Sequence, residues 1–197
     1  MDDLLVLWLA GFVLMGSPGP ATLSLAGIGA AYGARAGLPY LFGIFAGTIG
    51  VLLVIATGVT GLVLAVPAVR TVIVVAASAY IVYLAWRIAT APPVAADQGA
   101  AGAPSFAGGL ALAIANPKAY AAIGAVYAGA TLAQGDLVAD AALKIAALTL
   151  VIVVVNSAWL WFGALISAGL RDPRASRVIN VIFAVLLVAS VALALVW

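Results

Sequence analysis

The sequence predicts an all-α integral membrane protein with six transmembrane helices, arranged as a 3+3 inverted repeat in which helices 1 and 4 are broken. The 197 residues are 67% hydrophobic and only 7% charged, with a mean hydropathy of +1.31. Six apolar segments follow one another, each with the roughly 20 residues that span a bilayer. Proline motifs interrupt the first and fourth segments at matching places, and paired interruptions of this kind are typical of transporter sites.

Composition excludes several classes of function. The charged share is about a quarter of that in an ordinary soluble domain, so lipid is the expected solvent. The net charge of +2 gives no reason to expect nucleic acid as a partner. The chain has no Cys and no His, which removes disulfides, thiolate metal sites and the commonest metal ligand. We therefore expect no metal and no cofactor, and a lipid bilayer and a small-molecule substrate as partners.

The six segments are separated by short breaks that are polar or rich in Pro and Gly. We place the segments at residues 4–33, 39–65, 68–90, 105–132, 139–168 and 175–197. Residues 91–104 contain three prolines and two glycines and are interpreted as a flexible linker between a first half at 1–90 and a second half at 105–197. Because the first charges are acidic, Asp2 and Asp3, we expect a retained first helix and not a cleaved signal peptide.

Basic residues in the short loops predict the orientation in the membrane. If the first, third and fifth loops are cytoplasmic, that side carries five arginines, and the other side carries at most Arg70 and Lys144. The five arginines are Arg35, Arg87, Arg171, Arg174 and Arg177. The linker is then cytoplasmic and both termini lie outside. With three helices in each half, the two halves have opposite orientations.

The first interruption is Ser17-Pro18-Gly19-Pro20. Its prolines lack amide donors and crowd the preceding turn, so a helix cannot pass undisturbed. Ser17 lies about 20 Å along the segment at 1.5 Å per residue, past the centre of the hydrocarbon core. Broken backbone is tolerated at that depth only inside protein or beside a water-filled cavity. We expect a half-helix to begin at Pro20 with the amides of residues 21–24 available to a ligand; the alternative is a simple proline kink.

The second interruption is Asn116-Pro117-Lys118, which a displacement of 99 residues aligns with the first. Asn is a favoured N-cap and Pro a favoured first helical residue, so a second half-helix should begin at Pro117. Helix N-termini attract anions, and Lys118 adds a full positive charge. A charge at membrane depth favours a functional role; the alternative is that Lys118 extends to the interface or caps a neighbouring helix. Together the breaks predict a carboxylate site, with freed carbonyls available to an ammonium.

Three further features have two interpretations each. Asn156, in the middle of the fifth segment, either lines the substrate path or bonds a neighbouring helix, and the second is the simpler interpretation. Thr48 and Thr57 are weaker candidates, since Thr often bonds its own helix. The sequence from Gly43 to Gly47 is a GxxxG motif, which indicates close helix packing within the chain or, alternatively, the seam of a homodimer.

These residues resemble the lysine exporter superfamily, in particular the LysE/RhtB-type amino-acid translocators. The resemblance rests on the two proline motifs, on the aromatic end of the third segment from Ala79 to Arg87, and on the stretch from Arg177 through Asn180 to Leu187. It covers nearly the whole chain. It implies a six-helix exporter of the bacterial inner membrane, driven by the proton-motive force.

The predicted function is secondary active export of amino acids or similar small zwitterionic solutes. The predicted substrate-binding residues are Ser17, Pro18, Gly19, Pro20, Asn116, Pro117, Lys118 and Asn156, with no catalytic and no metal residues. One alternative is a metal or inorganic-ion exporter, which would need inward-facing ligand side chains. Another is an intramembrane hydrolase, for which Ser17 and Lys118 would have to act as nucleophile and base.

Overall fold

The computed structural model describes residues 2–58, 67–91, 104–168 and 173–196. Those ranges contain eight α-helices and no strand, which confirms an all-α fold for them. The helices are α1 Asp2–Gly16, α2 Pro20–Tyr32, α3 Ala34–Ala56, α4 Pro67–Ala89, α5 Phe106–Ala115, α6 Pro117–Ala128, α7 Leu137–Ala168 and α8 Pro173–Val196. Much of the predicted linker, residues 92–103, lies outside the described ranges, so the division into two halves stays a prediction.

Both predicted interruptions divide a segment into two bent half-helices. The axes of α1 and α2 differ by 61°, and those of α5 and α6 also differ by 61°. In each pair the second half-helix begins at a proline, Pro20 or Pro117. The missing amide of a proline is harmless at the first helical position but leaves a carbonyl of the preceding helix without its partner. This local chemistry explains why the chain breaks at these two places.

The described helices support a membrane protein with two to four spans by length and composition. Ala34–Ala56 and Leu137–Ile166 are each long and apolar enough to cross a bilayer, and counting each bent pair as one span raises the number to four. The third and sixth predicted segments correspond to α4 and α8. Six spans and the inverted repeat therefore stay predictions.

Several predicted boundaries were wrong by a few residues. Helix α3 begins at Ala34 instead of residue 39 because Gly33, at φ 81°, turns the chain within a single residue. A positive φ of this kind is accessible to glycine at little cost. Helix α6 ends at Ala128 instead of residue 132.

A buried ion pair explains the early end of α6. Asp140, in the first turns of α7, accepts hydrogen bonds from the amides of Leu132 (2.5 Å) and Ala133 (3.1 Å). Its other oxygen lies 2.7 Å from the ammonium of Lys144, which is 4.8 Å from the ring centre of Tyr127. The carboxylate therefore binds the loop after α6 to the start of α7. Lys144 is buried in the first turns of α7, so it is a second lysine, besides the half-buried Lys118, that is removed from solvent in the described part of the chain.

Glycines bring two pairs of helices into direct backbone contact. A Cβ on Gly43 of α3 would overlap the carbonyl of Phe106, and one on Gly109 of α5 would overlap that of Tyr40. The contact of α2 with α7 is similar, because Cβ atoms on Gly29 and Gly163 would overlap backbone atoms of the opposite helix. The GxxxG motif from Gly43 to Gly47 thus packs within the chain, as the simpler interpretation predicted. The homodimer has no support from this motif and stays a prediction.

The packed helices form two apolar clusters with a polar level between them. One cluster contains residues of α2, α4 and α8, and the other contains residues of α1 and α6. Helices α3 and α7 contribute to both. Along α3, Thr48 lies between Ile44 of the first cluster and Val51 of the second, and along α7 Asn156 lies between Leu160 and Ile152. The two breaks lie at this same level.

Candidate functional site

The first break leaves backbone carbonyls that side chains from other helices satisfy. The carbonyl of Gly16 accepts a hydrogen bond of 3.0 Å from the indole nitrogen of Trp159 on α7. The carbonyls of Ser17 and Pro18 accept from the ammonium of Lys118, the latter at 3.2 Å. Because backbone carbonyls without partners are costly away from water, these bonds stabilise the broken conformation.

Lys118 connects the two breaks directly. It lies at the second position of α6, and its half-buried side chain extends across to the first break, 101 residues earlier in the chain. This geometry matches one of the predicted alternatives, the capping of a neighbouring helix, because the two carbonyls directly follow the end of α1. Its ammonium donates hydrogen bonds to main-chain oxygens at the first break.

The half-helix amides are less available than the sequence predicted. Asn116 is the N-cap of α6 as expected, and its side chain accepts from the amide of Lys118 at 3.2 Å. The next amide, of Ala119, donates to the carbonyl of Asn116 at 3.0 Å. In α2 the amide of Leu23 bonds the carbonyl of Gly19 at 2.9 Å. The amide of Leu23, one of residues 21–24 that were predicted to be available, is therefore bonded within its own helix, and the amides of Lys118 and Ala119 at the start of α6 are bonded to Asn116.

The side chain of Ser17 bonds its own helix and does not cap α2. Its hydroxyl donates to the carbonyl of Leu14 at 2.8 Å. At the N-terminus of α2, the hydroxyl of Thr22 accepts a hydrogen bond from the amide of Gly19 at 2.9 Å. Lys118 contacts the carbonyl of Ser17 and the hydroxyl is engaged elsewhere, so the nucleophile–base pair of a hydrolase is not formed.

A cavity lies between the two breaks and brings most of the predicted site residues together. It encloses about 390 Å³ of space between atoms, including its open mouth. Its lining consists of Met15, Gly19, Ala21, Thr22, Thr48, Asn116, Lys118, Ala119, Ala122, Ile123 and Asn156. Gly19, Asn116, Lys118 and Asn156 were predicted; Ser17, Pro18, Pro20 and Pro117 shape the breaks but are not lining residues.

The cavity has one charge and several neutral polar groups. Lys118 is the one charged side chain in its lining. Asn156 is buried, and its side-chain nitrogen donates to the carbonyl of Ile152, one turn earlier in the same helix, at 2.8 Å. The predicted bond from Asn156 to a neighbouring helix is therefore not the bond observed, and Asn156 instead lines the cavity. Thr57 is exposed and bonds Val54 of its own helix at 2.7 Å.

Sequence reasoning missed three polar contributors. Thr48 was given little weight, although it is buried beside the cavity. Thr22 and Trp159 were not considered at all. A signal for Thr22 was present, because a Thr three residues after the Gly that precedes Pro20 has the spacing of a capping box. No local signal identifies Trp159, whose contact with Gly16 depends on how α7 packs against α1. Within the described ranges, no group of three or more His, Cys, Asp or Glu side chains could hold a metal ion.

Two bent pairs of half-helices beside one cavity are typical of membrane transporters. The family model of the LysE type translocators matches residues 12–197, so the chain belongs to that family. It is a translocator and not an enzyme at the level of the family, which confirms the resemblance seen in the sequence. Comparison with curated proteins gave no significant match, and comparison with solved structures gave none.

Proposed function

We propose that the protein is a secondary active exporter of amino acids or similar small zwitterionic solutes. The observation that supports this most strongly is the position of Lys118, which lines a cavity between two broken helices. The site consists of Lys118 with Asn116 and Asn156, on a frame set by Ser17, Pro18, Gly19, Pro20 and Pro117. An ammonium among neutral groups in a low dielectric attracts a carboxylate strongly.

The uncharged part of the cavity lining matches the remaining groups of an amino-acid substrate. The side chains of Ala119, Ala122 and Ile123 form an apolar wall of the cavity, which suits a short aliphatic group. Thr22, Thr48 and Asn156 offer uncharged hydrogen-bonding groups. A substrate with one carboxylate, one ammonium and a small side chain matches this distribution of charge and polarity.

The proposal also specifies the membrane, the orientation of the chain in it and the energy source of transport. We infer a multi-pass protein of the bacterial inner membrane, with both termini outside and the linker at 91–104 in the cytoplasm. The arginine-rich loops support this orientation. Export against a gradient would be coupled to the proton-motive force, in keeping with the family resemblance. The alternative of a metal or inorganic-ion exporter has no supporting ligand cluster in the described part of the chain.

Efflux from preloaded cells tests the proposal. A strain lacking its own amino-acid exporters would be loaded with labelled amino acids of several classes, with and without the protein. We expect faster efflux of at least one amino acid, and a rate that falls when a protonophore collapses the proton gradient. Equal efflux of every amino acid with and without the protein would contradict the proposed function.

A further inference from the structure

The carbonyls of Ser17 and Pro18 matter for substrate binding as well as for the stability of the break. They are the main-chain acceptors that an amino-acid ammonium would need at this site, and Lys118 already donates to both. A substrate ammonium and the ammonium of Lys118 cannot share these oxygens without strong repulsion between like charges. An amino acid whose ammonium binds these carbonyls must therefore take Lys118 away from them.

We propose that Lys118 is a displaceable bridge between the two breaks, and that the solute displacing it must carry both a carboxylate and an ammonium. The carboxylate binds the ammonium of Lys118, and the solute's ammonium takes the place of Lys118 on the carbonyls of Ser17 and Pro18. This inference rests on the proposed export of amino acids and specifies which groups of the substrate the site recognises. Substrate binding then replaces a bond between the two broken helices by two bonds to the substrate.

Charge balance explains why neither group is sufficient alone. A plain amine would bring a second positive charge beside Lys118, and no lining side chain of the described cavity is negative. A plain carboxylate that draws Lys118 off the carbonyls would leave both of them without their charged donor, which is unfavourable. A zwitterion satisfies all the groups at once. Each missing charge-assisted bond should weaken binding by about tenfold or more.

Gly19 provides a way to disturb the bridge without removing any charge. A Cβ at this position would lie 2.5 Å from Cδ and 3.0 Å from Nζ of Lys118. The backbone of Gly19 is extended, with φ −175° and ψ 179°, a conformation that alanine adopts without strain. Gly19→Ala should therefore displace the flexible lysine side chain. Gly124 in α6 has no atom within 4 Å of such a Cβ, so Gly124→Ala is a matched control.

The state of Lys118 can be observed directly, because Lys118 and Lys144 are the two lysines of the sequence. Protein labelled with ¹⁵Nζ-lysine would be purified in a non-ionic detergent, and Lys144→Gln would assign the Lys118 signal. The ligands would be alanine and leucine, each with its deaminated acid (propionate, 4-methylpentanoate) and its decarboxylated amine (ethylamine, 3-methylbutylamine). Affinities would come from titration of the Lys118 signal and, independently, from calorimetry.

We expect an amino acid to shift the Lys118 signal, and its acid and amine to bind at least about tenfold more weakly. In Gly19→Ala the acid should bind several-fold more tightly than in the native protein, because Lys118 no longer has to leave the carbonyls; Gly124→Ala should not change. An acid that binds as tightly as its amino acid, or an affinity for the acid unchanged by Gly19→Ala, would overturn the bridge but not the proposed export. Absence of binding by any amino acid in a full panel would overturn the proposed function itself.

Discussion

The ammonium of Lys118 donates a hydrogen bond to the main-chain carbonyl of Ser17, which precedes it by 101 residues. This contact joins two helices that are each broken at a proline, and it does so at the level where Thr48 and Asn156 also lie. Local breaks in two distant parts of the chain thereby become one site.

The two prolines provide the first prediction. Pro18→Ala or Pro117→Ala allows a more continuous helix, which would move Lys118 away from the first break. We expect export to be lost while the free energy of unfolding stays the same or rises, because a more continuous helix satisfies the backbone groups that the break leaves without helical partners. Efflux and thermal unfolding in detergent would be measured on the same variants. Pro39→Ala is the control, since Pro39 is exposed near the start of α3.

Loss of stability together with loss of export would show instead that Pro18 and Pro117 serve packing. Full export by either variant would show that the bend is not needed.

Backbone contact through glycine provides the second prediction. Gly43→Ala places a methyl group against the carbonyl of Phe106, which cannot move away as a flexible side chain would. We expect destabilisation of about 1–3 kcal/mol, the usual range for overpacking, seen as a lower unfolding temperature. Gly50→Ala in the same helix meets no atom within 4 Å and should have little effect. Equal unfolding temperatures for the two variants would contradict the close approach of α3 and α5.

The Asp140–Lys144 pair provides the third prediction. Lys144→Met removes one partner of a buried ion pair and leaves the carboxylate without its cation. We therefore expect a lower free energy of unfolding. Adding Asp140→Asn removes the unpaired charge, so the double variant should regain part of the stability. A double variant less stable than Lys144→Met alone would show that the two side chains act independently; chemical denaturation of the three proteins measures this.

The orientation provides the fourth prediction. The chain has no cysteine, so single cysteines at Ala100 and at Asp2 can be labelled with an impermeant thiol reagent on intact cells. We expect labelling at Asp2 and none at Ala100, because the arginine-rich loops should be cytoplasmic. Labelling at Ala100 without labelling at Asp2 would reverse the topology.

The sequence was sufficient for features that depend on local covalent chemistry. Pro20 and Pro117 begin half-helices because proline has no amide, and Asn116 caps α6 because its side chain is short and polar. The juxtaposition of Ser17 and Lys118 was also foreseen in outline, since matching interruptions in two halves point to one level. These predictions needed no knowledge of how the helices rotate about their axes.

The remaining features depend on packing that the sequence does not specify. The bond from Trp159 to Gly16 and the position of Thr48 depend on which faces of α7 and α3 turn inward. We expected the carbonyls freed by the break to be available to a substrate ammonium. They are bonded to Lys118 instead, because the ammonium at the end of this long side chain is the nearest cation. The i, i+4 spacing of Asp140 and Lys144 is visible in the sequence. Both residues lie near the end of a predicted span, and their burial in the folded chain could not be predicted from that position.

The most direct test of the account is the export rate of Lys118→Ala. With the native protein exporting an amino acid, we expect the alanine variant to lose essentially all export while remaining in the membrane at normal abundance. Lys118→Arg should lose most export, since a guanidinium differs from an ammonium in size and geometry, and Thr57→Ala, at an exposed position, should export normally. Export by Lys118→Ala at the native rate would contradict the central claim that Lys118 forms the substrate site between the two breaks.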